Sequence, residues 1–136
     1  MKVSLDHVGI AIEGLEDSLR FYRDALGLEL EASEVVGSQK VKAHFLPAGG
    51  PKLELLEATE EDSPVARFVA KRGAGLHHVA FAVSDIHAAL AELKARGVRL
   101  IDEHPRPGAE GALVAFVHPS AARGVLVELK QSRRDE

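Results

Sequence analysis

A self-similarity at a spacing of 71 residues constrains what this chain can fold into. Leu5-Asp-His7-Val-Gly-Ile-Ala-Ile12 matches Leu76-His-His78-Val-Ala-Phe-Ala-Val83, so the histidines at positions 7 and 78 stand 71 apart. Phe45 and Phe116 keep the same spacing. Leu53-Glu54-Leu55 corresponds to Val127-Glu128-Leu129 at a spacing of 74, which three extra loop residues explain. A repeat this long in 136 residues is one supersecondary unit written twice.

After each matching strand comes an amphipathic pattern of helical period. Leu15, Leu19, Tyr22 and Leu26 precede Gly27, and Ile86, Leu90 and Leu93 precede Gly97. Those spacings put the apolar side chains on one helical face, and glycine suits the left-handed position after the last turn. Ser84 is the expected N-cap of the second helix. Strand patterns follow over 28–32, 41–46 and 52–57, and again over 98–102, 113–118 and 125–130. Each half therefore reads β-α-β-β-β. A further helix runs from Ser63 to Arg72, with Ser63 as its cap, Pro64 in its first turn and Gly73 after its end. The expectation is an α+β fold in one domain, 1–136. It consists of module 4–62 and module 75–131 joined by helix 63–73. Neither half buries its sheet alone, so the two should share one open, barrel-like curved sheet with the helices outside. The tail from Ser132 to Glu136 is expected to fray.

Composition narrows the function classes. Apolar residues are 46%, ample for a core. Lys and Arg number 17 against 21 Asp and Glu, a net charge of −4, so no basic surplus tracks a nucleic-acid backbone. There is no cysteine, which removes disulfides, thiolate metal sites and cysteine nucleophiles together. The apolar runs are too short to span a membrane, and the opening residues lack an apolar signal segment. A cytoplasmic protein with no membrane or nucleic-acid partner is expected.

Strand parity singles out four residues. In the first strand Val8, Ile10 and Ile12 face one way, and His7, Gly9 and Ala11 the other. In its repeat Val79, Phe81 and Val83 oppose His78, Ala80 and Ala82. Each half thus has a strand face of one histidine and small residues, which leaves room rather than a packed core. Glu54 and Glu128 interrupt apolar strands at equivalent positions. A lone strand histidine is more often a hydrogen-bonded core residue, and a lone glutamate is often edge-exposed. Their duplication favours a single metal held by His7, Glu54, His78 and Glu128. His77 and Glu57 have the opposite parity. His87 falls on an exposed helix face, His104 in a loop, and His118 at a strand end before Pro119.

These paired modules and their His/Glu set resemble the vicinal oxygen chelate superfamily and, within it, the methylmalonyl-CoA epimerase family. The resemblance spans residues 4–131. It rests on Leu5-Asp-His-Val-Gly-Ile-Ala, Lys52-Leu-Glu-Leu-Leu-Glu57, Asp62-Ser-Pro-Val-Ala, Gly75-Leu-His-His-Val-Ala and, most specifically, Phe116-Val-His-Pro119 leading into Gly124-Val-Leu-Val-Glu-Leu129. It implies interconversion of the C2 epimers of methylmalonyl-CoA through an enolate stabilised by one divalent metal ion per chain. The ligands implied are His7, Glu54, His78 and Glu128, with Glu128 doubling as one of two acid/base groups. Two imidazoles and two carboxylates suit Co²⁺, Mn²⁺, Ni²⁺, Zn²⁺ or Fe²⁺ about equally. In some family members the second acid/base is a carboxylate on the strand before the hairpin, and the matching position is read here as Lys42. Lys42, Glu54 and His44 are the candidates for that role. Lys42, His44, His118 and Arg123 are candidates for contacting the acyl-CoA substrate. A homodimer is implied as well. A glyoxalase I-like isomerase and a drug-binding protein of the bleomycin-resistance type share the fold and stand as alternatives. A ring-cleaving dioxygenase ranks behind them.

Overall fold

The computed structural model describes residues 1–133, so the last three positions of the tail lie outside the described residues. The chain divides into two compact units. One is His7–His77; the other combines residues 1–6 with the chain from His78 onward. Strand β1 (Val3–Ile12) runs across that boundary, and the helix Pro64–Arg72 lies within the His7–His77 unit.

In the His7–His77 unit, β1 is followed by helix α1 (Leu15–Leu19), then β2 (Ala32–Val36), β3 (Val41–Pro47), β4 (Lys52–Ala58) and helix α2 (Pro64–Arg72). The strands lie in the order β2-β3-β4-β1. The β1–β4 pair is parallel, and β3–β4 and β2–β3 are antiparallel. Ile12, Leu19, Leu46 and Leu55 are buried together, with Ile10, Leu15, Tyr22, Leu28, Leu30 and Leu53 packed around them. Burying one such leucine stabilises by about 1.5–3 kcal/mol relative to leaving it in water, and this is what seats α1 on the even-numbered face of β1.

The expected first helix is continuous but not uniform. From Arg20 to Ala25 it widens to π geometry, with Leu26 N–H donating to the Phe21 carbonyl at 2.8 Å. It ends at Gly27, whose φ of 92° a residue with a side chain rarely adopts. The strand expected over 28–32 forms later, at Ala32–Val36. Leu28 and Leu30 do reach the core, as their alternation implies. The ladder is set instead by the tight turn Gly37–Gln39 and the left-handed Lys40 (φ 55°), which put Ala32 opposite Phe45. Helix α2 begins as expected, with the Ser63 hydroxyl accepting from the Val65 and Ala66 N–H groups at 3.1 and 3.2 Å.

The other unit repeats the plan. It comprises β5 (Gly75–Val83), whose first three residues still belong to the His7–His77 unit, α3 (Ile86–Ala95), β6 (Arg106–Pro107), β7 (Leu113–Val117) and β8 (Val127–Gln131), in the order β5-β8-β7-β6. Again the first strand pairs with the last in parallel, and the rest are antiparallel. Val83, Ile86, Ala89, Leu90, Ala115, Val117 and Leu129 form its core. The cap of α3 is Asp85, not Ser84: its carboxylate accepts from Ala88 N–H at 3.0 Å. The segment 98–102 is not a strand. Only Leu100 makes an isolated bridge, to Val117, while Val98 and Leu100 pack on the core.

Candidate metal centre

Each unit builds one buried imidazole–carboxylate pair in the same way. On β1 and β4, Gly9 stands opposite Glu54, and on the other side of β4 Phe45 stands opposite the same glutamate. On β5 and β8, Ala80 stands opposite Glu128, and Phe116 does so across β7. A small residue beside each carboxylate leaves it room, and a phenylalanine walls its far side. His7 Nδ1 lies 3.1 Å from Glu54 Oε2, with the side chains only 4% and 6% exposed. His78 Nε2 lies 2.9 Å from Glu128 Oε1, at 3% and 5%. The His78 ring also meets Phe116 edge-on, with centroids 5.7 Å apart.

Burying two carboxylates costs several kcal/mol per ion unless something compensates the charge. The donor set fits a divalent ion: imidazole nitrogens and carboxylate oxygens suit the borderline transition metals. The spacing fits too. Two ligand atoms about 2.1 Å from one ion, at right angles, stand about 3.0 Å apart, which is the separation within each pair.

Charged side chains also flank each pair. Lys52, two residues before Glu54 and so on its face, places its Nζ 5.5 Å from the centre of the Phe45 ring and 3.5 Å from a Glu31 carboxylate oxygen. In the other unit Arg106 lies over the Phe116 ring at 5.6 Å, with its Nε 3.7 Å from Asp102. Buried Lys130, two residues after Glu128, donates to Asp6 at 3.0 Å and to Glu110 at 3.4 Å. Sequence reading passed over Lys52 and Lys130. Counting by two from Glu54 and Glu128 would have found both.

Not every candidate joins these faces. His44 lies opposite Leu55, and Lys42 opposite Glu57, so both project from the side of the sheet that carries the leucine core. His44 is fully buried there, with Nδ1 bonded to the Ser33 hydroxyl at 2.7 Å and Nε2 to Glu57 at 3.0 Å. Lys42 is exposed. The assignment of either to the metal face is corrected: β3 alternates, and its residues on the Glu54 side are Val41, Ala43 and Phe45. Glu57 has the opposite parity to Glu54, as read from sequence. His118 caps the turn Pro119–Ala122 between β7 and β8, with Nδ1 accepting from Ser120 N–H at 3.1 Å. Arg123 ends that turn, exposed and left-handed (φ 57°).

Residues 6–116 match the family model for the glyoxalase/bleomycin resistance protein/dioxygenase superfamily, and the chain belongs to that superfamily. Within it, the relatives narrow further. The chain is 40% identical to the mitochondrial methylmalonyl-CoA epimerase of Bos taurus, over 94% of this chain and 74% of that one. It is 45% identical to the uncharacterized protein YqjC of Bacillus subtilis, over 97% and 94% of the two chains. A solved structure of a methylmalonyl-CoA epimerase with methylmalonyl-CoA and NH4+ superimposes with a TM-score of 0.92 at 39% identity, covering 100% of this chain and 99% of that one. The fold is thus that of the vicinal oxygen chelate proteins, as the sequence resemblance implied.

Proposed function

We propose that this chain is a metal-dependent epimerase that interconverts the C2 epimers of methylmalonyl-CoA. The observation that carries the reading is the buried His–Glu pair built once per unit, in a chain 40% identical to a methylmalonyl-CoA epimerase over 94% of its length. His7, Glu54, His78 and Glu128 are the residues that would hold one divalent ion. Co²⁺, Mn²⁺, Ni²⁺, Zn²⁺ and Fe²⁺ all suit this set. Such an ion supplies Lewis acidity to the thioester carbonyl and makes the neighbouring C–H more acidic. Glu128 takes or returns the C2 proton on one face of the carbon. Its burial beside His78 and Phe116 keeps water from that face. Glu54 has the same chemistry available but serves in this reading as a ligand. His118 and exposed Arg123 are the positions proposed to meet the acyl-CoA. The reading includes a homodimer in the cytoplasm. Among the described residues no helix is long and apolar enough to cross a membrane.

The deciding experiment is exchange of the C2 proton of methylmalonyl-CoA in D₂O, with and without chelator, beside a lactoylglutathione assay. Chelator-sensitive exchange with no turnover of lactoylglutathione is expected. The reverse result would establish the glyoxalase-type alternative.

A further inference from the structure

We propose that Arg106 binds the free carboxylate of the substrate and so selects acyl-CoAs that carry one on C2. This assignment deepens the epimerase reading and rests on it. Methylmalonyl-CoA differs from an ordinary acyl-CoA by that carboxylate, and loss of the C2 proton sets a second negative charge beside it. A fixed cation on the carboxylate reduces the repulsion between the two.

Register in the unit that carries Glu128 limits the choice. On the Glu128 face, β8 presents Glu128 and Lys130, β7 presents Val114 and Phe116, and β6 presents Arg106. The β5 positions opposite Glu128 and Lys130 are alanines. The cations on these strand positions are therefore Lys130 and Arg106. Lys130 is buried and held by two carboxylates, Asp6 at 3.0 Å and Glu110 at 3.4 Å, which more than balance its charge.

Arg106 is placed differently. Its side chain is 37% exposed, so a ligand can reach it. Its buried Nε has no hydrogen-bond partner. Asp102 Oδ2 lies 3.7 Å from that nitrogen, beyond hydrogen-bond reach, and accepts instead from Phe116 N–H at 2.8 Å. Among the described residues the guanidinium makes no hydrogen bond.

The surrounding structure holds this group beside the reacting pair. Gly108 packs so tightly on Val114 that a Cβ there would stand 2.6 Å from Val114 Cγ1, which pins the chain just after Arg106. The guanidinium lies over the Phe116 ring, 5.6 Å from its centre. That ring meets the His78 ring at 88°, with centroids 5.7 Å apart, and Phe116 stands opposite Glu128. Arg106 is thus one phenyl ring away from the His78–Glu128 pair. A guanidinium held this way offers paired N–H donors, which match the two oxygens of a carboxylate. The phosphates of coenzyme A are anions too, but a whole pantetheine arm separates them from the thioester.

The test is Arg106→Met, with Arg106→Lys beside it, in the metal-loaded protein. Epimerisation of methylmalonyl-CoA and of methylmalonyl-pantetheine, which lacks the phosphates, is measured, together with the Kd of propionyl-CoA, metal content and thermal midpoint. For the Met variant kcat/KM should fall about 10–100-fold with both thioesters, the scale of a lost hydrogen bond to a charged group. The Lys variant should recover part of it, since it keeps the charge without the fork. Propionyl-CoA has no carboxylate, so its Kd should stay as in wild type, as should metal content and midpoint. Wild-type epimerisation by Arg106→Met overturns the assignment alone. So does a loss confined to the CoA thioester, which would place Arg106 on a phosphate. Weaker binding of propionyl-CoA, or a fall in metal content or midpoint, would give Arg106 a structural part and overturns it as well. A wild-type protein that epimerises nothing overturns the epimerase reading, and the assignment with it.

Discussion

The two halves of each buried pair have different chemistry, and substitution separates them. In the proposed centre His78→Ala removes a neutral nitrogen ligand, so metal content and activity should disappear together. Glu128→Gln keeps an oxygen that coordinates a divalent ion weakly but cannot accept a proton. That variant, saturated with metal, should retain the ion and lose about 10²–10⁴-fold in epimerisation. Metal analysis and a turnover assay on the same sample check both. Full activity in metal-saturated Glu128→Gln would remove Glu128 as a base. His44 should behave in the opposite manner. It satisfies both ring nitrogens with Ser33 and Glu57 in the core, so His44→Ala leaves two polar partners without it and opens a cavity. A loss of about 2–4 kcal/mol is expected in denaturant melts, chiefly from the cavity left behind, while metal binding is kept.

At the scale of the elements, the face on which a side chain sits decides its part. Lys42→Met should leave kcat and KM for both epimers nearly unchanged, because Lys42 is exposed and projects from the side opposite Glu54. A rise in KM alone would instead give Lys42 a part in holding substrate charge. Helix α2 depends on a single hydroxyl at its start. Ser63 is completely buried and accepts from two backbone N–H groups. Ser63→Ala should therefore cost about 1–2 kcal/mol, at the upper end for a lost cap, and Ser63→Asp should recover part of it. A loss of under about 0.3 kcal/mol would mean that Pro64 and the packing of Val65 alone fix the helix start.

For the whole molecule, the count of bound ions is the sharpest test. The proposed single centre takes one ion per chain, and metal analysis should give that ratio; two ions per chain would mean that each His–Glu pair binds its own. An ion at about a hundred times its Kd stabilises the folded state by about 2.7 kcal/mol. Chelation should lower the melting midpoint by roughly 10 °C, at a few degrees per kcal/mol for a domain of this size. A midpoint indifferent to chelator would show that the buried pairs fold without an ion. Light scattering at micromolar concentration checks the homodimer.

Much of this was legible in the chain itself, because the signals were local. The 71-residue repeat fixed the β-α-β-β-β plan. Period two within β1 and β5 separated His7 and His78 from the core-facing Ile10 and Phe81. The interruption of apolar strands pointed to Glu54 and Glu128. These features depend only on neighbours a few residues away, where side-chain direction follows from backbone period. What the sequence could not decide was which strand lies beside which, and in what register. The turn at Gly37–Gln39 slides β2 along β3, so the strand begins at Ala32 rather than 28 and Glu34 comes to rest opposite Ala43. The β3–β4 pairing puts Lys42 and His44 on the leucine side and leaves Phe45 beneath Glu54. Parity within one strand is fixed by covalent geometry. Parity between strands is fixed by turns and by which face is buried, and only the folded chain expresses it.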